Sequence, residues 1–556
     1  MTRPPEQTLM RPAERDRETR RALGAFYTSD ALARSVTAKA LGFWGGSGVP
    51  SSLDPACGDG AFLLALEELG VAGSGDGAAR CGMDVDPAAI AAARVRLGDA
   101  PDLVLADGLD PTVFPGRRFD LVLGNPPFGL PRDDARAWGL AAKRTDSYAC
   151  FLAMGLRRLA PGGVLGFITA DTWLSIRSHG ALRDLLLPHL LAVDLLPPGA
   201  FDATVGTCAV YLRADPVRGP IAVTDLAGRR YAIGRDTVAS LPGHTLFVGR
   251  PGLADLLAAG TVRPEEVAPG HAAPVRTLRR GERDIRLVRL GDIAATPHGI
   301  STGQNARYVR AVPGISGRYL PLEPRMAMPP GRLESLTEAE KRGGVAGDWE
   351  DGTGCYVPFD KGAAADAGAG WLPNYFVPCG YYLNWAEGAL ADMRRNPGFA
   401  WKNSRYFFRR GLTFSVSGAY APTFRLGAGG VFEAKSSGLF CDVLPPELLL
   451  AILCSRVARY LFKVFIKHSV DTSGADVARF PLVLPDPAVR DRMIALVGQI
   501  IAAQRRDPAY PYQHREQPEL DALAARAYGL SDEEVAEIDA WFAARYSKLA
   551  AAQSRR

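Results

Sequence analysis

No run of apolar residues in this chain approaches the roughly 18 needed to span a bilayer, and the N-terminal stretch mixes Arg, Glu and Asp with no apolar segment behind it. Neither a membrane span nor a secretory signal is expected. The eight cysteines, at 57, 81, 150, 208, 355, 379, 441 and 454, contain no C-x-x-C pair. That argues against a zinc ribbon or finger and for reduced thiols, so a cytoplasmic protein with no structural metal is expected. A net charge of +5 is too weak to establish a polyanionic partner unless the positive charge is concentrated locally. The full G-x-G-x-x-G and the P-loop are both missing, which weakens dinucleotide and nucleoside-triphosphate readings. Internal repeats and long low-complexity tracts are missing too.

What is there is enough chain for two to four domains, since 556 residues exceed a single hydrophobic core. Residues 1–20 read as a polar tail. From 21 to 225 short apolar strands alternate with Ala/Leu-rich helices, the pattern of an α/β domain with a mostly parallel sheet. Strands are expected at Ser52–Leu53, Arg80–Val85, Leu103–Leu105, Leu121–Leu123, Val164–Ile168, Ala192–Leu196 and Thr207–Arg213, with helices at Phe62–Leu69, Ala88–Leu97 and Tyr148–Leu159. Residues 226–289 read as a connecting extension without an assignable role. A mixed α+β unit rich in Gly, Pro and aromatics follows over 290–487, and a helical segment over 488–556. Within the latter, Ser531 and Glu534 form an expected capping box.

The chemistry-bearing residues fall at strand ends. "LDPACGDGAF" is strand, acid (Asp54), Gly-rich turn (Ala56, Gly58, Gly60) and helix. "CGMDVDP" ends a second strand on Asp84 and Val85, and "DLVLADG" ends a third on Asp107. Ligands bind at such C-terminal strand edges, and an acid ending the second strand is placed to accept from ribose hydroxyls. Acids and glycines also end strands as mere turn formers, but three in order, followed by a fourth strand ending in "GNPPF", leave that reading a small share.

In this order the motifs resemble those of S-adenosylmethionine-dependent amino-methyltransferases. "GAFYTSDALARSV" (24–36) is similar to the extra cofactor motif that the gamma class of DNA adenine-N6 methyltransferases places ahead of the Gly-rich turn. The family usually has Pro where Ser29 stands, and Ser29 can cap the following helix instead. The resemblance implies a Rossmann-like methyltransferase domain with a seven-stranded mostly parallel sheet. It also implies that S-adenosylmethionine meets Tyr27 and Thr28 at its methionine end, Asp54 at its ammonium, Asp84 at the ribose and Asp107 at the adenine amine. Ala56, Gly58, Gly60, Val85 and Asn125 complete the expected cofactor site.

The four residues Asn125, Pro126, Pro127 and Phe128 would be catalytic. An exocyclic adenine amine is a poor nucleophile because its lone pair is delocalised into the ring. The Asn125 amide oxygen and the Pro126 carbonyl would accept its two hydrogens and draw it toward a tetrahedral geometry. The two prolines fix φ and hold both acceptors in advance. Phe128, with Phe201 as the other wall, would stack on a base flipped out of the duplex; Phe201 could equally be an ordinary core residue. Cytosine-C5 chemistry would need a thiolate on a Pro-Cys loop where NPPF stands. Pro378-Cys379 lies about 250 residues downstream, and Cys379 reads as structural.

NPPF alone also occurs in ribosomal RNA guanine-N2 and protein glutamine methyltransferases. DNA is favoured by the leading cofactor motif and by the roughly 340 residues that follow the catalytic domain. Residues 393–432 hold seven cations (Arg394, Arg395, Lys402, Arg405, Arg409, Arg410, Arg425) and no acid, interleaved with aromatics, a composition suited to phosphate contacts beside stacking surfaces. The alternative is a solvated basic face over core aromatics. "LGDIAATPHGISTGQN", "YYLNWAEG" and "HSVDTSGADVARFPLVLPDP" resemble the DNA target-recognition region of large gamma-class enzymes, which occur in restriction-modification and in BREX and DISARM phage defence. The expectation is a site-specific DNA adenine-N6 methyltransferase acting on double-stranded DNA, with other subunits of a defence system as open partners. Its rivals are an RNA methyltransferase and a catalytically inactive DNA-binding specificity subunit.

Overall fold

The computed structural model describes residues 28–71, 79–98, 101–140, 145–197, 206–258, 261–361, 372–416, 421–467 and 471–554. Two compact units divide the chain, Met1–Ala258 and Ala259–Arg556. The expected polar tail, 1–20, lies outside the described residues.

In the first unit β1 (Ser52–Asp54), β2 (Arg80–Asp84), β3 (Asp102–Leu105), β4 (Phe119–Gly124), β5 (Leu159–Ala170), β6 (Leu190–Leu195), β7 (Thr207–Arg213), β8 (Ile221–Thr224) and β9 (Arg230–Ile233) form one sheet. Its order is β9-β8-β6-β7-β5-β4-β1-β2-β3. Strands β3, β2, β1, β4 and β5 are parallel neighbours, while β7 runs antiparallel between β5 and β6. All seven expected strands are present, but the sheet has nine. The added hairpin straddles the boundary expected at 225, with β8 before it and β9 in the supposed connector: Ile221, Val223 and Ile233 alternate inward and are buried, so residues 221–233 extend the sheet.

Strand order reverses between β1 and β4, which opens a crevice at their C-terminal ends. Helices α1 (Asp30–Trp44) and α2 (Ala61–Glu68) cover one face, and α3 (Pro87–Leu97) packs beside α2. Ala33, Val36 and Ala40 recur on one stripe of α1 and pack with Phe62 and Leu66 of α2 on Leu121 and Leu123, alternate residues of β4. Ile90, Ala93 and Leu97 of α3 pack with Leu103 and Cys57. Each such buried aliphatic side chain contributes about 1.5–3 kcal/mol, so the ends of β1 and β4 stand on a rigid base. Helix α4 (Ser147–Arg158) precedes β5 and is buried from Ser147 to Gly155.

The second unit begins earlier than residue 290. β10 (Val262–Ala268), β11 (His271–Arg280) and β12 (Arg283–Arg289) form a meander that the distant β20 completes; between them lie β13 (Val309–Ala311), β14 (Tyr356–Asp360), β15 (Tyr381–Asn384), β16 (Leu412–Ser415), β17 (Phe424–Leu426), β18 (Val431–Phe432), β19 (Ser436–Leu439) and then β20 itself (Pro481–Val483). The sheets are β10-β11-β12-β20, β13-β15-β14-β18 and β17-β16-β19. The expected connecting extension 226–289 is thus no single element, and the boundary expected after 225 falls at 258/259. Helices α5 (Pro487–Arg506), α6 (Gln517–Ala527) and α7 (Asp532–Arg545) follow, the last opened by the expected capping box of Ser531 and Glu534. No helix of the described residues is long and apolar enough to cross a membrane.

Candidate active site

A cavity of about 200 Å³ lies over the C-terminal ends of β1–β4. Thr28, Asp54, Ala56, Gly58, Asp84, Val85, Asp107, Asn125 and Pro127 all line it, so a single cleft collects residues from five separated segments. The loops that carry them are tied by backbone bonds. Cys57 N–H donates to the Met83 carbonyl at 2.8 Å and Ala106 N–H to the Asp84 carbonyl at 2.9 Å. Gly60 starts α2 with φ +89, and a methyl group there would meet Leu97 Cδ1 at 2.6 Å. Glycine alone gives this turn both its left-handed conformation and its approach to α3.

The carboxylates are fixed but incompletely satisfied. Asp54 Oδ1 accepts from Ala56 N–H at 3.1 Å, whereas its buried Oδ2 has no hydrogen-bond partner among the described residues. Burial pushes the Asp54 carboxyl well above the usual range, and the neighbouring charges of Asp84 and Asp59 push it further. Burial raises Asp84 as well, partly offset by the N–H groups of Asp86 and Gly58, which donate to its two oxygens at 2.9 Å. Asp107 Oδ1 accepts from Leu109 N–H at 3.0 Å. Among the described residues, Asp54, Asp59, Asp84, Asp86 and Asp107 face this cleft against one cation, Arg132. Such a wall favours a cationic ligand rich in hydrogen-bond donors. Val85, 60% exposed, adds an apolar surface beside Asp84.

Asn125 follows β4 directly. Its Nδ2 donates to Thr28 Oγ1 at 3.1 Å, which turns the amide oxygen away from Thr28. Gly124, the preceding residue, has no alternative: a methyl group there would lie 2.7 Å from Asp54 Oδ1. The Pro127 carbonyl accepts from Ser147 Oγ, and Gly129 N–H donates to both oxygens of Asp146 at 2.9 Å. The start of α4 therefore clamps the NPPF loop.

Some expectations shift. Phe128 is only 4% exposed and is not among the residues that line the cleft. Pro126 is buried. Tyr27 and Phe201 lie outside the described residues. Ser29 precedes α1 without a side-chain cap bond; its carbonyl instead accepts from Leu32 and Ala33. Arg96 of α3 reaches Asp30 and, at 3.1 Å, Asp59, tying α1 to the Gly-rich turn. Sequence reasoning missed Leu130, Arg132, Ser147 and Phe151 of the cleft lining. Arg132 pairs with Asp107 at 3.2 Å and Asp134 at 2.6 Å; its spacing from Asp107 carries no motif, so only the folded chain places it.

In the second unit Arg394, Arg395, Lys402, Arg405, Arg409 and Arg410 are exposed. Arg425 is not: its side chain is 4% exposed, 3.9 Å from Asp360, and it donates to Ser436 Oγ at 3.1 Å. The phosphate contact expected of Arg425 is therefore corrected to a buried ion pair. The interleaved aromatics are also mostly core. Phe407, Phe414, Phe424 and Phe432 are buried, Trp401 stacks on Trp385 at 5.5 Å and Tyr406 on Phe440 at 4.9 Å. Among the described residues the basic face lies over core aromatics, with Phe399, Trp401, Tyr406 and Phe408 partly buried. Cys379 donates to the Tyr381 carbonyl at 3.1 Å. Among the described residues no group of three or more His, Cys, Asp or Glu is placed to hold a metal.

Residues 110–190, from β4's approach to the start of β6, match the family model described as Eco57I restriction-modification methylase. The Type II methyltransferase M.TthHB8I of Thermus thermophilus is 31% identical over 181 residues, 30% of this chain and 39% of that protein. M.BanIII of Aneurinibacillus aneurinilyticus is 28% identical over 205 residues, 32% of this chain and 35% of that protein. The chain thus spans less than two-fifths of the length of either relative. The cryo-EM structure of the DrdV–DNA complex aligns with a TM-score of 0.45 at 12% identity, over 87% of this chain and 57% of that one, a likeness too slight to carry function. Within its N-terminal unit the chain is similar to the Eco57I-like restriction-modification methyltransferases.

Proposed function

We propose that the protein transfers a methyl group from S-adenosylmethionine to N6 of an adenine flipped out of double-stranded DNA, to mark self-DNA in a restriction-modification or phage-defence system. The observation that carries this is the position of Asn125. Its amide, locked by Thr28 at 3.1 Å, stands at the strand-order switch on the rim of an acidic cleft.

The residues fit the cofactor. Asp54 Oδ2, buried and without a partner among the described residues, suits an ammonium. Asp84 and Asp107 suit ribose hydroxyls and an adenine amine, and the exposed Val85 suits a ring face. When bound there, S-adenosylmethionine supplies an electrophilic methyl. The chain does the rest. Asn125 Oδ1 and the Pro126 carbonyl accept from the substrate amine and free its lone pair. Ser147 and Asp146 hold the hook in place through the bonds described above, so the acceptors need no reorganisation during reaction. The displaced proton passes to solvent, because the product amine is a strong acid until it is lost and no strong base is required.

DNA as substrate is supported by the exposed cations of residues 394–410, which would neutralise phosphates and position the duplex. The test incubates purified protein and labelled S-adenosylmethionine with unmethylated DNA, RNA or protein. Label should enter DNA on adenine N6, and Asn125→Ala should lower the rate about 10²–10³-fold, the typical cost of one preorganised polar group. Label in RNA alone, or undiminished in the Asn125→Ala protein, rejects the reading. Cofactor binding without transfer to any substrate would instead indicate a specificity subunit.

A further inference from the structure

Arg132 is the one cation among the described residues of the acidic cleft. S-adenosylmethionine carries positive charge at its ammonium and its sulfonium, and a guanidinium beside either would oppose it. Its adenine is neutral, so that end of the cleft accommodates a cation without repulsion. Arg132 stands there: its Nη1 donates to Asp107 Oδ2 at 3.2 Å, and Asp107 is the acid suited to the adenine amine.

The chain fixes this guanidinium from two sides. Its backbone belongs to a short antiparallel pair in which Pro131 faces Asp146 and Arg132 faces Thr145. Ser147 N–H, at the start of α4, donates to the Leu130 carbonyl at 2.8 Å. The side chain forks onto Asp134, Nε to Oδ1 at 3.0 Å and Nη2 to Oδ2 at 2.6 Å. The bond to Asp134 holds the guanidinium further above its usual pKa range against the effect of burial, so it stays charged.

Asp107 Oδ2 has two lone pairs and Arg132 Nη1 two hydrogens, and their mutual bond uses one of each. An acceptor and a donor therefore lie side by side on two residues that line the cleft. That is the pattern by which a side-chain amide reads adenine, accepting from N6 and donating to N7. The surroundings suit a flat base. Leu130 and Phe151 line the same cleft, and Phe151 abuts the residue after Asp107: a methyl group on Gly108 would lie 2.7 Å from its Cε1.

We propose that Arg132 is a cofactor-binding residue that reads the N6–N7 edge of the S-adenosylmethionine adenine together with Asp107. Asp107 Oδ2 accepts from N6 and Arg132 Nη1 donates to N7. A 6-oxopurine, with an acceptor where adenine has its amine, is refused by the same pair. Asp134 is a positioning residue that acts through the guanidinium. The assignment rests on the methyl-transfer reading through its cofactor alone, and not through the methyl acceptor.

The test is equilibrium binding to the full chain of S-adenosylhomocysteine and of its 7-deaza analogue, in which a C–H replaces N7. The wild type should bind the analogue about tenfold more weakly, the worth of one charge-assisted hydrogen bond at a partly exposed site. Arg132→Ala should weaken S-adenosylhomocysteine about tenfold and leave the analogue within about twofold of its wild-type affinity, so that the preference for N7 disappears. Arg132→Gln keeps an N–H donor and should restore part of that preference, and Asp134→Ala should reduce it by less than Arg132→Ala does. Equal binding of the two ligands by the wild type, an arm that needs no substitution to fold, overturns the assignment. So does an equal loss of both ligands in Arg132→Ala, which would make Arg132 a residue of the fold. Tighter S-adenosylhomocysteine binding by Arg132→Ala overturns it too, because the guanidinium would then compete with the adenine for Asp107. A wild type that prefers N7 yet methylates no substrate rejects the function proposed above and leaves this assignment standing.

Discussion

In the N-terminal unit Asp54, Asp84, Asp107 and Asn125 each stand at or within two residues of a strand end, and all four face one cleft. In the C-terminal unit seven cations lie within forty residues, yet one of them is buried in the core and another is held by an acid. Arg425 pairs with Asp360, and Arg409 with Asp442 at 3.0 Å. The difference is one of constraint. A parallel sheet delivers every C-terminal strand end to the same edge, so a residue's place in the sequence determines which way it faces. A run rich in Arg and aromatics has no such rule, because a pleated strand sends successive side chains to opposite faces.

The strongest way to break that comparison is Arg425→Ala. Burial pulls this guanidinium below its usual range and lifts the Asp360 carboxyl, each resisted by the other's charge. Removing one partner leaves a buried charge and should cost about 3–5 kcal/mol of stability, while replacing both with apolar residues should be far milder. Denaturant unfolding of the single and double variants checks this. A single variant of normal stability with weakened DNA binding would return Arg425 to the surface and erase the contrast.

The contrast also explains what could be read before folding. The seven strands, the Gly-rich turn and the cleft acids were legible because apolar runs ending on Gly or Asp leave few alternatives. The hairpin of β8 and β9 was not, since Thr224–Arg230 breaks its alternation with a polar turn and nothing local says which sheet it joins. The burial of Phe128 was not legible, because a motif fixes identity and backbone while the rotamer is decided by neighbours. Arg132 carries no motif at all; the fold alone brings it beside the hook.

Asp54→Asn sharpens the other half. The folded, ligand-free protein holds the Asp54 proton more tightly than the unfolded chain does. Its stability is therefore higher below the raised pKa and falls as pH rises through it. The amide should remove that pH dependence and stabilise the ligand-free protein at alkaline pH by about 1–3 kcal/mol, the cost of an unsatisfied buried polar group. It should also abolish S-adenosylhomocysteine binding, and in the wild type that binding should strengthen over the same pH interval as the carboxylate forms. Thermal melts across pH with and without ligand decide it. A variant that is destabilised yet still binds would mean that Asp54 serves the fold and that strand-end position did not indicate function.

The smallest effect belongs to the exposed cations. Lys402 is exposed and its charge helps hold the nearby His298 below its usual pKa; it forms no ion pair among the described residues. A phosphate contact there releases about one counterion, so Lys402→Ala should make the slope of log K against log salt shallower by about 0.9. Stability should stay within about 0.5 kcal/mol, as for other surface substitutions. Arg409→Ala should change the slope less, because Asp442 already neutralises Arg409 at 3.0 and 3.1 Å and must be released before a phosphate can take its place. If the two substitutions give equal slopes, the pair with Asp442 is open in solution, and both residues count as free charge. If neither changes the slope, the basic face is a solvated surface and the duplex is gripped elsewhere.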